Sequence, residues 1–269
     1  MKHSFIILVS FLLLSSPVIG DNHKGETLYR LDNPSGSGYL WKEFGDKNIQ
    51  PKYKGEITNG EPNGVGVLTY PDGSNYVGEW KNGLPNGRGT DTYPNGQKYV
   101  GEWKNGLPNG YGTETLPDGQ KYEGEWEDGK RTGRGKMNFP DGREYTGGFR
   151  DGMVHGKGLL DYPDGTRYIG TYKDGVLTGK VEMRYPNDNV YIGLFKDGKP
   201  DGQGTYTWSD GNQYVGDWEN DERNGQGKET YSTGDYYEGE FNDGEEWNGT
   251  GYDKNGNIIE SWLNGIKQK

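Results

Sequence analysis

The sequence predicts an all-β protein, an elongated single antiparallel sheet of consecutive β-hairpins. Three observations carry this. Residues 76–98 and 99–121 are near-duplicates that differ at four of their 23 positions. A tyrosine recurs at that same spacing at Tyr53, Tyr76, Tyr99, Tyr122, Tyr145, Tyr168, Tyr191 and Tyr214. Glycine is abundant, 49 of 269 residues, and stands in register with Tyr and Trp rather than in a triplet or linker pattern. A fixed period of this length marks a stacked array in which each unit buries its apolar face against its neighbours.

Along the chain, residues 1–20 read as a secretory signal peptide. Lys2 is followed by the apolar run Phe5–Leu14, and Val18-Ile19-Gly20 forms a small-residue cleavage pattern. The expected destination is outside the cytoplasm, periplasmic or extracellular, and an uncleaved anchor is the alternative. Residues 21–52 are irregular and fit an N-terminal lead or cap, since terminal repeats of an array are normally atypical. The repeat array spans residues 53–257. It comprises eight regular repeats over 53–236 and a ninth, over 237–257, in which Gly249 and Gly251 arrive one place late. Residues 258–269 carry Trp262 and Gly265 in the places a partial terminal repeat requires.

Within a unit the opening Tyr-x-Gly-x-Trp alternates at period two. Tyr76, Gly78 and Trp80 therefore share one strand face, and Val77, Glu79 and Lys81 share the other. Lys81-Asn82-Gly83 supplies a turn. Gly87-Arg88-Gly89 opens a second strand that runs to Tyr93, and Pro94-Asn95-Gly96 turns the chain into the next unit. Strand glycines let an aromatic ring lie across the neighbouring backbone, so the aromatic stripe reads first as core. Its alternative role is partner binding through Tyr76, Trp80, Tyr99, Trp103, Tyr122 and Trp126. Sixteen strands at the usual spacing predict a sheet roughly 75 Å long. Val181 stands where repeat six should have its second glycine, Asp188 where it should have its turn glycine, and Asp221 replaces the hairpin glycine of repeat eight. Gly148 follows Gly147 in repeat five. A local kink or change in curvature is expected at repeat six.

The residues offer no catalytic set. His23 and His155 are isolated, and the recurrent Glu56, Glu79, Glu102 and Glu125 read as a solvated charge ladder on alternate strands. The Pro-Asp-Gly motifs provide one carboxylate each and are turn chemistry before they are calcium sites. Without a cysteine the chain has no disulfide, thiolate metal site or lipid-bearing thiol. No cofactor is expected, and the net charge of −11 disfavours nucleic acid. Residues 214–269 carry five basic against thirteen acidic side chains, which favours a basic partner at that end. Lys130, Arg131, Arg134 and Lys136 form a small basic cluster that could touch phosphate, with a solvated loop as the plainer reading.

The signature Tyr-x-Gly-x-Trp-x-x-Gly-x-x-x-Gly-x-Gly, repeated every 23 residues, resembles the MORN (membrane occupation and recognition nexus) repeat. The resemblance covers 53–257 and implies a twisted, grooved single sheet. It also implies roles as scaffold, dimerisation rod, partner-binding groove or membrane tether. Some relatives pair the repeats with a lipid kinase domain, and none is expected here. The expected function is an exported, non-enzymatic scaffold that binds a protein partner along its sheet or through its ends. The alternatives are a phospholipid-binding module with weak membrane association, cell-wall or carbohydrate recognition by the aromatic stripe, and hydrolase activity. Open strand edges at the two ends make a homodimer plausible.

Overall fold

The computed structural model describes residues 26–34 and 38–268. The signal peptide, His23 and Gly36-Ser37 therefore lie outside the described residues. The described chain forms 22 strands and no helix. β1 (Glu26–Asp32) pairs with both β2 (Tyr39–Lys42) and β3 (Lys52–Thr58). From β3 onward each strand lies antiparallel beside its successor, as far as β22 (Ile266–Gln268). The result is one open sheet with edges at β2 and β22, both short, which limits the backbone they offer for end-to-end pairing.

Each repeat is a hairpin of a seven-residue and a nine-residue strand, for example β5 (Asn75–Lys81) and β6 (Leu84–Thr92). Asn82 and Gly83 both take positive φ, 51° and 75°, the two-residue turn whose twist matches the flanking strands. Because that turn is so tight, pairing resumes at once as Lys81 opposite Leu84. The second strand consequently opens at Leu84, three residues before the expected Gly87. Between the Gly78–Gly89 and Trp80–Pro85 pairs, β6 carries two extra residues as a bulge. A five-residue loop, closed by Tyr93 N–H to Gln97 C=O at 2.9 Å, leads into the next repeat.

The core is the aromatic face. Tyr76 lies over Gly78 and Gly89, where a Cβ on Gly89 would overlap its hydroxyl and ring. The Tyr76 hydroxyl donates to the Glu79 carbonyl at 3.0 Å, so the buried phenol is satisfied. Trp80 wedges edge-on between Tyr53 and Tyr76 at 5.1 and 5.2 Å, and Trp103 between Tyr76 and Tyr99 at 5.1 Å each. This edge-to-face zigzag is worth about 0.5–1.5 kcal/mol per ring pair beyond burial. It is how a single-layer sheet acquires a core without a second layer.

The slipped ninth repeat keeps the frame. Gly239 still pairs with Gly249, and Phe241 then faces Glu246, so the bulge holds one extra residue instead of two. Gly249 thus takes the second-glycine place one residue early, which corrects the expected late arrival, and the missing residue comes out of the bulge and not out of the ladder.

Repeat six departs from the other repeats in how it packs. The registers of β13 (Arg167–Lys173) with β14 (Val176–Arg184), and of β14 with β15 (Val190–Lys196), match those of the other repeats. The exception is that the Gly170–Val181 pair is missing. The change lies in packing. Val181 is fully buried, and Leu177 and Val181 fill the space above Gly170 that a tyrosine ring fills elsewhere. Tyr168 is pushed out to half-exposure against Tyr162, and its contact with Phe195 lengthens to 6.4 Å. Asp188 and Asp221 keep their turns at φ 65° and 81° in place of glycine.

Candidate functional site

The aromatic stripe is the core and leaves little ring surface for a ligand. Tyr76, Trp80, Tyr99, Trp103, Tyr122 and Trp126 are between 0 and 9% exposed. That burial leaves the six rings little surface for direct contact with a partner or for stacking on a carbohydrate. Their phenols also bear its mark. Burial pushes Tyr145, Tyr214 and Tyr237 up to about 12, and Tyr76 and Tyr99 further still.

The basic cluster is divided by the fold. Arg131 turns to the aromatic face, where it meets Glu114 at 2.7 Å in a mostly buried pair and lies over the Tyr122 ring. Lys130 pairs with Asp151 at 3.2 Å and Lys136 with Glu144 at 2.7 Å. Of the four, only the Arg134 guanidinium has no partner among the described residues. The cluster is therefore not one phosphate site, because alternation and the bulge in β10 (Lys130–Asn138) send its members to different neighbours.

The surface the sequence left unremarked is the opposite, open face. One cross-strand ladder crosses it through Val67, Val77, Thr90, Val100, Thr113 and Glu123, and later Leu159, Ile169, Ile192, Thr205 and Val215. Val100, Ile169, Ile192 and Val215 are 38, 41, 39 and 45% exposed, and the remaining aliphatic and threonine side chains of the row are half-buried. The signal is present in the sequence as β-branched residues after six of the repeat tyrosines, at Val77, Val100, Thr146, Ile169, Ile192 and Val215.

A second row on this face contains the recurrent glutamates, which are more than a solvated ladder. Glu79 accepts the Arg88 N–H at 3.1 Å, Glu56 the Val65 N–H at 3.2 Å and Glu125 the Arg134 N–H at 3.0 Å. Each closes its own bulge. Repeats five, six and seven have Gly148, Thr171 and Leu194 at this position. Beside these repeats a groove of about 1190 Å³ runs over glycine backbone at Gly147, Gly158 and Gly170, lined by both Arg134, Lys157 and Lys180 and the carboxylates Glu123, Glu125 and Glu182.

The repeat geometry corresponds to a known family. The family model for the MORN repeat matches residues 53–75, 76–98, 99–121, 122–142, 145–167, 168–190, 191–213 and 214–236. The chain belongs to the MORN-repeat family, whose members are repeat scaffolds for interaction with proteins or membranes. Among solved structures it is similar to the TCP10 domain of a Danio rerio CPAP mutant, with 18% identity over 88% of this chain and 94% of that one, at TM-score 0.39. It is also similar to a CPAP G-box domain, with 20% identity over 70% and 97%, at TM-score 0.39. A third is the Drosophila melanogaster SAS-4 (dCPAP) TCP domain in complex with a proline-rich motif of Ana2 (dSTIL), with 18% identity over 54% and 79%, at TM-score 0.37. No curated protein matches the chain.

Proposed function

We propose that the chain is an exported, non-enzymatic scaffold that holds a protein partner on the open face of its sheet. The observation that supports this is the row of exposed and half-buried Val, Ile, Leu and Thr, opposite a face whose repeat rings are mostly buried in the core. A row of aliphatic and β-branched side chains, interrupted by Glu123, Lys136 and Glu182, has the mixed apolar and charged composition that protein interfaces use. Export rests on the residue pattern of 1–20 alone.

The test is quantitative capture from the native compartment with the wild type and with Val77→Asp/Val100→Asp. Both substitutions lie on the open face and leave the aromatic zigzag untouched. A partner retained by the wild type and lost by a variant of unchanged melting temperature supports the reading. Equal retention by both, or retention through Tyr/Trp variants alone, overturns it. N-terminal sequencing of the extracytoplasmic protein should begin at Asp21, and a cytoplasmic product with Met1 intact would end the export reading.

A further inference from the structure

The bulge of each regular repeat contains a glycine at positive φ, and what stands above that glycine changes along the chain. A Cβ on Gly64, Gly87 or Gly133 would run into the carboxylate of Glu56, Glu79 or Glu125, the side chain that caps the same bulge. On Gly156 of repeat five and Gly179 of repeat six it would meet nothing within 4 Å. In repeat seven Leu194 fills the place above Gly202. The replacements at 148, 171 and 194 also leave cations unmatched. Arg88 lies opposite Glu102 in the neighbouring strand, whereas Arg134, Lys157 and Lys180 lie opposite Gly148, Thr171 and Leu194. All three basic side chains are exposed and have no ion pair among the described residues. The carboxylates that line the same groove are already engaged. Glu125 caps its bulge, Glu123 accepts the Tyr111 hydroxyl at 3.2 Å, and Glu182 pairs with Arg184.

From this we infer that the bulges of repeats five and six are seats for two carboxylates of an acidic peptide segment. One carboxylate stands above Gly156 and pairs with Lys157, and the second stands above Gly179 and pairs with Lys180. The inference rests on the reading of the open face as a partner-binding surface and names the chemistry of the segment that it binds. A carboxylate is the anion of choice because the chain's own carboxylates occupy this place in the capped repeats. There they accept the bulge N–H, as Glu79 does from Arg88 at 3.1 Å and Asp217 from Gln226 at 2.9 Å. The two seats are one repeat apart, which is two strands or about 10 Å. The groove crosses the strands from Tyr111 to Ile192, so the bound segment runs across the sheet and not along a strand. A polyproline II segment meets the spacing, since three residues advance about 9 Å and return to the same face. Acidic residues at i and i+3 then reach both seats. A β-strand does not meet it, because its same-face residues recur at about 7 and 14 Å. The net charge of −11 repels an anionic lipid surface, which leaves a peptide with few and well-spaced carboxylates as the ligand.

The experiment is fluorescence anisotropy of a labelled peptide of Glu-Pro-Pro triplets titrated with the full chain at low and high salt. Binding should saturate, weaken as salt rises and be absent with a Gln-Pro-Pro peptide. Lys157→Gln/Lys180→Gln should weaken it by about tenfold or more. Lys81→Gln/Lys104→Gln, on the open face of repeats two and three, should leave it unchanged. Thr171→Glu gives repeat six a carboxylate of its own and should weaken binding without lowering the melting temperature, so the loss is not a loss of fold. Equal binding of the Gln-Pro-Pro peptide, an equal effect of the two lysine pairs, or undiminished binding by Thr171→Glu overturns the inference. So does retention on phosphatidylserine vesicles in place of the peptide. A native partner lost by Val77→Asp/Val100→Asp but kept by Lys157→Gln/Lys180→Gln overturns the acidic seats and leaves the scaffold reading standing. Specific peptide binding with no native partner captured supports the seats and counts against the scaffold reading alone.

Discussion

Repeats two and three, the duplicated stretch Tyr76–Lys121, and repeat six, Tyr168–Val190, share a backbone frame and build different cores on it. In the duplicated pair, glycines at 78, 89, 101 and 112 admit Tyr76 and Tyr99 flat against the sheet, and Trp103 locks between them. In repeat six one side chain, Val181, takes the place of the ring. Tyr168 leaves, Leu177 comes in, and Tyr172 keeps its edge contact with Tyr145 at 5.2 Å while its hydroxyl is buried without a partner. The hydrogen-bonded ladder thus tolerates a change that the aromatic zigzag does not. Register is held by backbone pairing and turns, whereas ring placement is held by the absence of a Cβ.

The largest expected effect is collective, shared by the repeats that keep the buried tyrosine, and set by pH. In the unfolded chain the phenols ionise near 10, while Tyr145, Tyr214 and Tyr237 in the fold are held at about 12 by burial. The folded state binds these protons more tightly. Their contribution is therefore complete below pH 10 and is lost as pH rises through 10 towards 12. Tyrosinate absorbance from the core rings should grow together with loss of the sheet signal. Full ionisation with the sheet intact would contradict the buried zigzag.

Among substitutions, Trp103→Ala should cost about 3–5 kcal/mol in a urea titration, by loss of a large buried ring. The transplant Gly89→Val should cost about 3 kcal/mol, because the new side chain must expel Tyr76 without a Leu177 equivalent to fill in. A cost near zero would show that repeat six's packing is portable. Removing the phenol hydroxyl sharpens the contrast further. Tyr76→Phe loses a satisfied bond and should cost about 1 kcal/mol. Tyr172→Phe removes an orphaned hydroxyl and should gain up to about 1 kcal/mol.

The period and the Tyr-x-Gly-x-Trp alternation made the hairpins, the unit boundaries and the buried stripe legible, since each follows from local geometry. Three things are less legible. Glu79 and its equivalents read as solvated because their acceptor role depends on a bulge nine residues away, visible only once the strands pair. Arg131 and Arg134 read as one cluster because sequence proximity hides the bulge that separates them. Gly148 stands out in the sequence as a departure, but that it leaves its bulge without a capping carboxylate is visible only once the strands pair.

The sequence by itself determined the repeat, the order of strands and which residues lack a Cβ, because these depend on turns and on alternation within a few residues. Tertiary structure decided which charges share a face and which rings remain exposed. Those outcomes depend on side chains 17 to 24 residues apart, as in Arg131–Glu114 and Arg150–Asp174, brought together only when one hairpin is laid beside the next.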